Sequence, residues 1–525
     1  MALTVGSLFV PKLLPCVDYP EHLALADVAR RLLTPGAPEH TLFEVNVFTY
    51  YGLVHFVLAA LSLAMPIELA GKLLLGGALA STAWSVRKLL VTLGRPPVYA
   101  ALFVPMLFAF SASWGFLNYV VALALAFAAL AEVAAHLRVP ARAGWSGARI
   151  AITSLLSAMT HPLAMLVLWV FSAALVLEVA GRGMTARTPE ALVSTARRAA
   201  TAFAPTLAGG LWCVAVYGGH YASEPHLTDT RDPVLWPKLA RFPFYATDLH
   251  ADRSDGPIVY GAVAVMVAMV ACSFVLDRTR KRRASAASDP SAASAPTHTV
   301  VLPFAAMLAC YLAMPMIFMG SQLMFPRLVP ALVLGALIAL PRLDGSGGGV
   351  ATTLAGASCL AVAWWSALNL NAHFREYRDE TDDASRMLDA LPTGRRASAV
   401  VYSDFTDAFC RGGVLHLAAW YAARKHGDWA FAFARYPYMP VRYIEGRAPD
   451  WPAQGWEFAP SQYDARSPYA RTYNLLLVKT LEYLDPIQNE ATVRANVFGE
   501  DAATPRLLAH YGLYWAFDTA GIPGR

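Results

Sequence analysis

The chain has 525 residues, of which 56% are hydrophobic and only 15% are charged. Soluble domains usually carry about 25% charged residues, so this deficit excludes an ordinary water-soluble protein. The formal net charge of +5 is small for this length, and the positions of the charges carry more information than their sum. Most side chains must face something other than water, which predicts an integral membrane protein.

The first apolar segment, Ala2–Val17, contains Pro11 and Pro15 and is short for a membrane span. We expect a clipped or tilted first helix there. In the stretch that follows, apolar side chains recur on one face at helical spacing: Leu25, Val28, Ala29 and Leu32. This pattern predicts an amphipathic helix along the membrane surface, with Asp18 and His22 near its start.

Two interpretations of Asp18 are open. A carboxylate at a membrane boundary can act as a general base towards an acceptor hydroxyl. Asp18 and Glu21, with Pro20 in the first turn, also have the form of a capping box, which would start any helix. One residue can serve both purposes, so the sequence does not separate them.

Long apolar runs recur along the chain up to residue 370, among them Ile258–Leu276, Val300–Phe318 and Val350–Leu370. Each approaches the ~20 residues that a helix needs to cross ~30 Å of hydrocarbon. One such run could be a buried core helix, but a whole series could not. We therefore predict an α-helical polytopic membrane domain of about 11–13 transmembrane helices in residues 1–370.

The distribution of charge predicts the topology. Loops rich in arginine and lysine alternate with loops that are poor in them, and the densest basic cluster, Arg278–Arg283, directly follows an apolar run. Such a cluster indicates a cytoplasmic loop or a contact with anionic lipid, so a nucleic-acid partner is not expected. The same bias places the loops at 18–46 and 220–257, and everything after Leu370, on the outer face.

The apolar run Ile150–Val179 is too long for one span and too short for two ordinary spans. His161 and Pro162 lie in its middle, so we expect a pair of half-helices around a water-filled cavity. His161 is then either a hydrogen-bonded histidine between helices or a residue that lines a substrate cavity.

The outer loop at 220–257 is rich in polar side chains. Its segment 248–252 alternates oxygen and nitrogen ligands at Asp248, His250 and Asp252. These residue types can hold a divalent cation near a phosphate. The alternative is that the loop is polar only because water covers it. A divalent cation is the cofactor that this segment suggests.

Residues 371–525 have a different character and predict a small soluble α/β domain on the outer side. The charged, helix-like segment 374–391 is followed by a strand-like run, Ala397–Tyr402, and later by the apolar run Tyr473–Val478. This alternation of helix and strand supports the α/β class. No set of nucleophile, base and orienting group is recognisable in this tail.

Three features together resemble the GT-C superfamily of membrane glycosyltransferases, which includes protein O-mannosyltransferases and the lipid A aminoarabinose transferase. Asp18 is an acidic residue directly after the first apolar segment. Met159–Leu163 lies where those proteins interrupt two short helices with a polar turn and a proline. Phe325–Pro330 is similar to the Arg-Tyr-x-x-Pro stretch before a late helix of that group. The likeness covers the layout of residues 1–370, but the usual pair of acidic residues in the first outer loop is missing.

The resemblance implies an inverting glycosyltransferase that takes a sugar from a polyprenyl-phosphate-linked donor at the outer face of a bacterial inner membrane. It also implies a periplasmic C-terminal domain. Asp18 would be the catalytic base, and Arg327 would contact the lipid phosphate; an arginine whose charge extends to the membrane surface is the alternative. The candidate substrate contacts are His22, Trp114, Asn118 and His161. An aromatic residue at the membrane boundary, such as Trp114, is also a common interfacial anchor.

Two other functions are compatible with the sequence. A transporter or flippase of a lipid-linked or polar solute would share the polar intramembrane residues but would need no base at Asp18; internal inverted repeats, which would favour it, are not visible. A non-catalytic membrane scaffold that presents the C-terminal domain to a partner would tolerate substitution at both Asp18 and Arg327.

Overall fold

A computed structural model gives the arrangement of most of the chain. It describes residues 1–49, 51–138, 143–184, 189–220, 235–247, 249–287, 300–317, 321–343, 348–450, 455–481, 490–499 and 505–521.

Helices dominate the described residues. In chain order they are α1 (Ala2–Ser7), α2 (Tyr19–Arg31), α3 (Gly52–Leu61), α4 (Ile67–Thr92), α5 (Phe110–Ser113), α6 (Leu117–Arg138), α7 (Ala143–Ala158), α8 (Pro162–Met184), α9 (Pro189–Phe203), α10 (Leu207–His220), α11 (Leu235–Ala240), α12 (Phe242–Ala246), α13 (Asp255–Ala287), α14 (Leu302–Ala313), α15 (Val329–Ala339), α16 (Gly348–Ala390), α17 (Leu417–Lys425) and α18 (Glu490–Phe498). The strands are β1 (Phe43–Val45), β2 (Arg396–Val401), β3 (Asp428–Trp429), β4 (Val441–Tyr443), β5 (Leu475–Lys479), β6 (Arg506–Tyr511) and β7 (Tyr514–Asp518).

Five helical segments of the described chain are long and apolar enough to cross a membrane: Ile67–Thr92, Leu117–Arg138, Val193–Val216, Asp255–Leu276 and Gly349–Ala390. Shorter apolar helices of 10–17 residues accompany them. At 1.5 Å per residue the shorter helices reach about 15–26 Å, which is less than the ~30 Å of hydrocarbon. The protein is therefore helical, with membrane-length apolar helices and a small C-terminal sheet, as the sequence predicted.

The beginning of the chain differs from the prediction. α1 ends at Ser7, so the first helix is clipped, as expected, but it covers less than half of Ala2–Val17. Pro11 and Pro15 lack the backbone N–H that a continuing helix requires, which explains the irregular path after α1. This irregular segment is still largely buried, since Leu13, Leu14 and Cys16 are not exposed to solvent at all.

α2 is not a surface helix. Every side chain from Tyr19 to Ala29 is buried, including Glu21 and Asp27. α3 and α4 pack against this helix, and α17 of the tail also packs against it. Protein therefore covers the polar face that the prediction left in water, so the expected exposure of this face is wrong.

The run Ile150–Val179 does form two helices. α7 ends at Ala158 and α8 begins at Pro162, so the chain breaks where His161 and Pro162 were expected to interrupt it. Proline at the first position of α8 is favourable because its missing N–H would have no partner there.

The tail contains the predicted α/β structure. Its five-stranded mixed sheet has the order β3-β2-β5-β7-β6. β2 runs parallel to β3 and β5, and β7 runs antiparallel to β5 and β6. The runs expected at Ala397–Tyr402 and Tyr473–Val478 correspond to β2 and β5.

The tail is joined to the rest of the chain by backbone pairing as well as by side chains. α16 continues without a break through residues 370 and 371, where the composition changes. β1 of the 18–46 loop pairs antiparallel with β4 of the tail. The Asn46 side-chain amide donates to the carbonyls of Pro437 at 3.1 Å and Met439 at 3.3 Å. These contacts hold the tail against the segment that contains Asp18.

Candidate functional site

Backbone hydrogen bonds hold Asp18 in place at the start of α2. The Asp18 N–H donates to the carbonyl of Trp114 at 2.9 Å, and the Val17 N–H donates to the carbonyl of Ser113 at 3.0 Å. The adjacent Gly115 has φ +76°, and a Cβ there would lie only 2.6 Å from the Asp18 nitrogen. The close approach of these two segments therefore requires glycine at 115.

The Asp18 side chain is available for chemistry because it does not cap α2. Asp18 occupies the N-cap position, but its side chain makes no capping hydrogen bond. Glu21 does not return to the Asp18 backbone; its two oxygens accept from Trp429 Nε1 at 2.8 Å and from the Phe433 N–H at 3.0 Å. The capping-box interpretation is wrong because the tail supplies stronger partners for Glu21 than the helix end does.

His416 links Asp18 to a second acidic residue of the tail. Its Nε2 lies 3.5 Å from Asp18 Oδ1, and its Nδ1 lies 2.8 Å from Glu457 Oε1. Although burial lowers the pKa of His416, the carboxylates of Glu457, Asp18 and Glu21 raise it well above its usual value. His416 is therefore a charged imidazolium that orients the carboxylate of Asp18 through one nitrogen while Glu457 holds the other.

Glu21 completes the acidic side of this cluster. It is fully buried, and His416 Nδ1 lies 3.8 Å from its Oε1. Burial raises the pKa of Glu21 to about 8, although His416 and the two N–H donors from Phe433 and Trp429 act in the opposite direction. A carboxyl group in this position changes its charge near neutral pH.

Arg327 is a buried cation next to this cluster. It is 8% exposed, and its guanidinium carbon lies 3.7 Å from the ring centroid of Phe116. Its Nη2 donates to the carbonyl of Gln322 at 3.0 Å, and its Nε has no hydrogen-bond partner among the described residues. Asp18 is a carboxylate whose charge acts on this guanidinium, but it is not in an ion pair with it. A buried guanidinium without a paired carboxylate is costly, which favours an anionic ligand.

The contact between Arg327 and His161 also favours an anionic ligand. Arg327 Nη1 lies 3.1 Å from His161 Nε2, while the Leu163 N–H donates to His161 Nδ1 at 3.1 Å. A neutral imidazole accepts through only one ring nitrogen, so one of these contacts sets N–H against N–H. An anion beside Arg327 and His161 would accept hydrogen bonds from both.

Trp114 and Asn118 lie next to the segment that holds Asp18. The Trp114 ring stacks on Phe116, and the guanidinium carbon of Arg411 lies 5.3 Å from its centroid. Within the described residues, Trp114 Nε1 and Asn118 Oδ1 are buried without a hydrogen-bond partner. One donor and one acceptor of this kind can bind the hydroxyl groups of a polar ligand.

His22 lies on the same helix as Asp18, but its ring is engaged with another histidine. Its Nδ1 lies 3.1 Å from His55 Nε2, and His55 Nδ1 contacts the carbonyl of Tyr51 at 2.9 Å. Burial lowers the pKa of His22 well below its usual value, and the fields of His55, His416 and Arg327 act in the same direction. His22 is therefore neutral and hydrogen-bonded to protein.

The predicted metal ligands divide into two groups. Asp248 lies outside the described residues. His250 and Asp252 are brought together with His373 of α16, and one ligand atom from each lies within 4.8 Å of the others. His373, on a helix of the tail, had not been predicted as part of this set.

The sequence also missed His416, Glu457 and the inward position of Glu21. No spacing in the sequence connects residue 416 to residue 18, because the pairing of β1 with β4 and the packing of α17 on α2 bring them together. The only local signal was the concentration of tail polar residues around His416, which by itself shows no catalytic arrangement. Comparisons of the chain with protein-family models, with curated proteins and with solved structures found no match.

The close contact at Gly115 predicts a specific loss of stability. Gly115→Ala should lower the melting temperature more than Gly36→Ala, measured by thermal unfolding of the purified protein in detergent. Gly36 also has positive φ, +78°, but nothing lies within 4 Å of a Cβ placed there. The Gly36 variant thus isolates the cost of the backbone conformation, about 1–2 kcal/mol. Equal melting temperatures would show that the contact with Asp18 does not constrain the fold.

The raised pKa of Glu21 predicts that its contribution to stability falls as pH rises from about 5 to about 8, while the lowered pKa of His22 contributes in the opposite direction up to its usual value of about 6.5. The folded-state pKa of Glu21 is raised, so folding takes up a proton in this range; its contribution is lost as pH rises through the folded pKa. The raised pKa of His416 has the same sign, because its contribution is complete below its unfolded pKa and is lost at higher pH. One proton corresponds to at most about 1.4 kcal/mol per pH unit.

The measurement is the melting temperature in detergent at a series of pH values. Glu21→Gln removes a falling contribution, so the slope against pH should become more positive than in the wild type, whatever the effect on the absolute melting temperature. The exposed Glu44→Gln should leave the slope unchanged. An equal slope in the Glu21 variant and the wild type would contradict the assignment, because the difference between the two slopes isolates the contribution of Glu21.

Proposed function

We propose that the chain is a GT-C-like membrane glycosyltransferase that moves a sugar from a polyprenyl-phosphate-linked donor to an acceptor. The supporting observation is the juxtaposition of two unlike groups. Asp18 is a partly exposed carboxylate oriented by His416, and Arg327 is a buried cation with no paired carboxylate in the described part of the chain. A base and an anion contact on neighbouring segments are what transfer from a phosphate-linked sugar requires.

In this proposal Asp18 removes the proton from the acceptor hydroxyl while the oxygen of that hydroxyl attacks the anomeric carbon of the sugar. The new bond forms while the bond between that carbon and the phosphate oxygen breaks, with inversion at the carbon. The lipid phosphate leaves with the electron pair, and Arg327 and His161 stabilise its charge by donating hydrogen bonds to its oxygens. Trp114 and Asn118 would contact the sugar hydroxyls.

The proposed topology places this chemistry on the outer face of a bacterial inner membrane, with the tail in the periplasm. The basic clusters of the sequence support that orientation. If the five shorter apolar helices of the described residues crossed in addition to the five long segments, they would give ten crossings, fewer than the 11–13 predicted. Short helices next to a broken helix such as α7–α8 suit a cavity that reaches into the membrane from one side.

The test replaces the proposed base in cells that lack the native gene. Asp18→Asn and Asp18→Ala should each reduce formation of the glycosylated product by about 100-fold or more, because general-base catalysis contributes about that much. Asp18 makes no capping hydrogen bond, so the Asn variant should not be rescued by helix stability. The readout is the profile of glycans and glycolipids by mass spectrometry, at equal protein abundance in the membrane. Asp379→Asn, at an exposed carboxylate, is the matched control. Wild-type product with Asp18→Asn would overturn the proposed base.

The anion contact is tested at Arg327. Arg327→Gln should abolish product formation, and Arg327→Lys should retain part of it, since lysine keeps the charge but not the planar fork. The exposed Arg506→Gln serves as the control. Full activity of the Gln variant at wild-type thermal stability would contradict a role in binding phosphate.

The same strains separate a transferase from a flippase. Loss of a transferase should cause a lipid-linked sugar to accumulate where membrane-impermeant periodate can oxidise it in intact spheroplasts. Accumulation of a lipid-linked sugar that periodate cannot reach would instead indicate that the protein moves its substrate across the bilayer.

A further inference from the structure

A second cluster of polar side chains lies where the segment before α13 meets α16. His250 is 2% exposed and His373 is 7% exposed. Their rings stack nearly parallel, with 3.7 Å between centroids and 7° between planes, so one ring must rotate before both can bind the same ion. Asp252 Oδ1 lies 3.3 Å from His373 Nε2. Two buried imidazoles and a carboxylate, with ligand atoms within 4.8 Å of one another, form a compact set of nitrogen and oxygen donors.

The hydrogen bonds of the two histidines leave one nitrogen of each available. His373 Nδ1 lies 2.9 Å from the carbonyl of Asn369, which can only accept, so Nδ1 carries the hydrogen. In the neutral imidazole the Nε2 lone pair then faces the carboxylate of Asp252. Two acceptors at this distance need a proton or a metal ion between them.

His250 has a less restricted arrangement, because its Nδ1 faces a hydroxyl that can donate or accept. Its Nδ1 lies 3.1 Å from Ser254 Oγ, which in turn accepts from the Asn369 side chain at 2.9 Å. Its Nε2 is buried and has no hydrogen-bond partner among the described residues. Histidines that bind metals characteristically donate their second ring N–H to such a fixed partner.

We propose that His250, Asp252 and His373 bind one Zn²⁺-class divalent cation. Two imidazoles and one carboxylate, with a water molecule in the fourth position, are a familiar ligand set for zinc. Mg²⁺ and Ca²⁺ prefer oxygen ligands, so two histidines select against them. This site is independent of the proposed glycosyltransferase activity.

The position of the site gives the cation a structural consequence. The backbone of the metal-ligand segment pairs with the tail: Ala251 N–H donates to the carbonyl of Ala408, and Cys410 N–H donates to the carbonyl of Leu249 at 3.0 Å. The Phe409 ring packs against both histidines. The cation would therefore fasten α16 to the segment before α13, beside the tail segment that continues to His416.

The experiment uses the full chain, purified in detergent with an affinity tag that contains no histidine and stripped with EDTA. Zn²⁺ is added in competition with a chromophoric chelator, and bound metal is counted by elemental analysis. We expect the wild-type protein to bind one equivalent of Zn²⁺ tightly. Loss of an outer-shell partner lowers metal affinity about 10- to 100-fold, so removal of a ligand in His373→Ala or Asp252→Asn should exceed that loss.

His40→Ala, which removes an exposed histidine outside the cluster, should bind Zn²⁺ as the wild type does. Asp252→Asn keeps the proposal testable if the buried His373→Ala variant is unstable, because the Asp252 side chain is 57% exposed. Zn²⁺ should also raise the melting temperature of the wild type and not that of Asp252→Asn, since a ligand that binds only the folded state stabilises it. Failure of the wild type to bind one equivalent of Zn²⁺ tightly, or equal affinity in Asp252→Asn, would overturn the site and leave only the contact between His373 and Asp252.

Discussion

The burial of α2 on all sides is the constraint on which the rest of the site depends. This helix carries Glu21 and Asp27 in positions that water does not reach. Buried ionisable groups need hydrogen-bond partners or counter-charges. The tail supplies them: Trp429 and Phe433 donate to Glu21, and His426 Nδ1 lies 2.9 Å from Asp27. The tail must therefore be in place for α2 to be buried at acceptable cost.

The docking of the tail also organises the chemistry. His416 begins the turn into α17 and contacts Asp18 and Glu457 at once. Asp18 itself is held through its backbone by the segment at Trp114 and not through a capping side chain. Its carboxylate is thus free of a capping bond and contacts His416 Nε2 at 3.5 Å, and its charge acts on the guanidinium of Arg327.

Several elements could be predicted because their signals are local. Pro162 after His161 interrupts a helix wherever it occurs, and the alternating apolar runs of the tail form β2 and β5. The pair Asp18 and Glu21 is an example of a local pattern that the sequence alone could not interpret. A capping box and a buried polar cluster need the same residues at the same spacing, and only the partners at Trp429 and Phe433 distinguish them.

The sequence by itself determined the class of protein: too few charges for a soluble chain, apolar helices of membrane length and an α/β tail. Composition and periodicity carry that information because each segment that is buried in lipid or in a core must itself contain enough apolar residues at the right spacing. Only the tertiary structure decided which distant groups meet, as His416 does with Asp18 and His373 with His250 and Asp252. Those contacts join residues more than a hundred positions apart, and the packing that creates them leaves no repeating pattern along the chain.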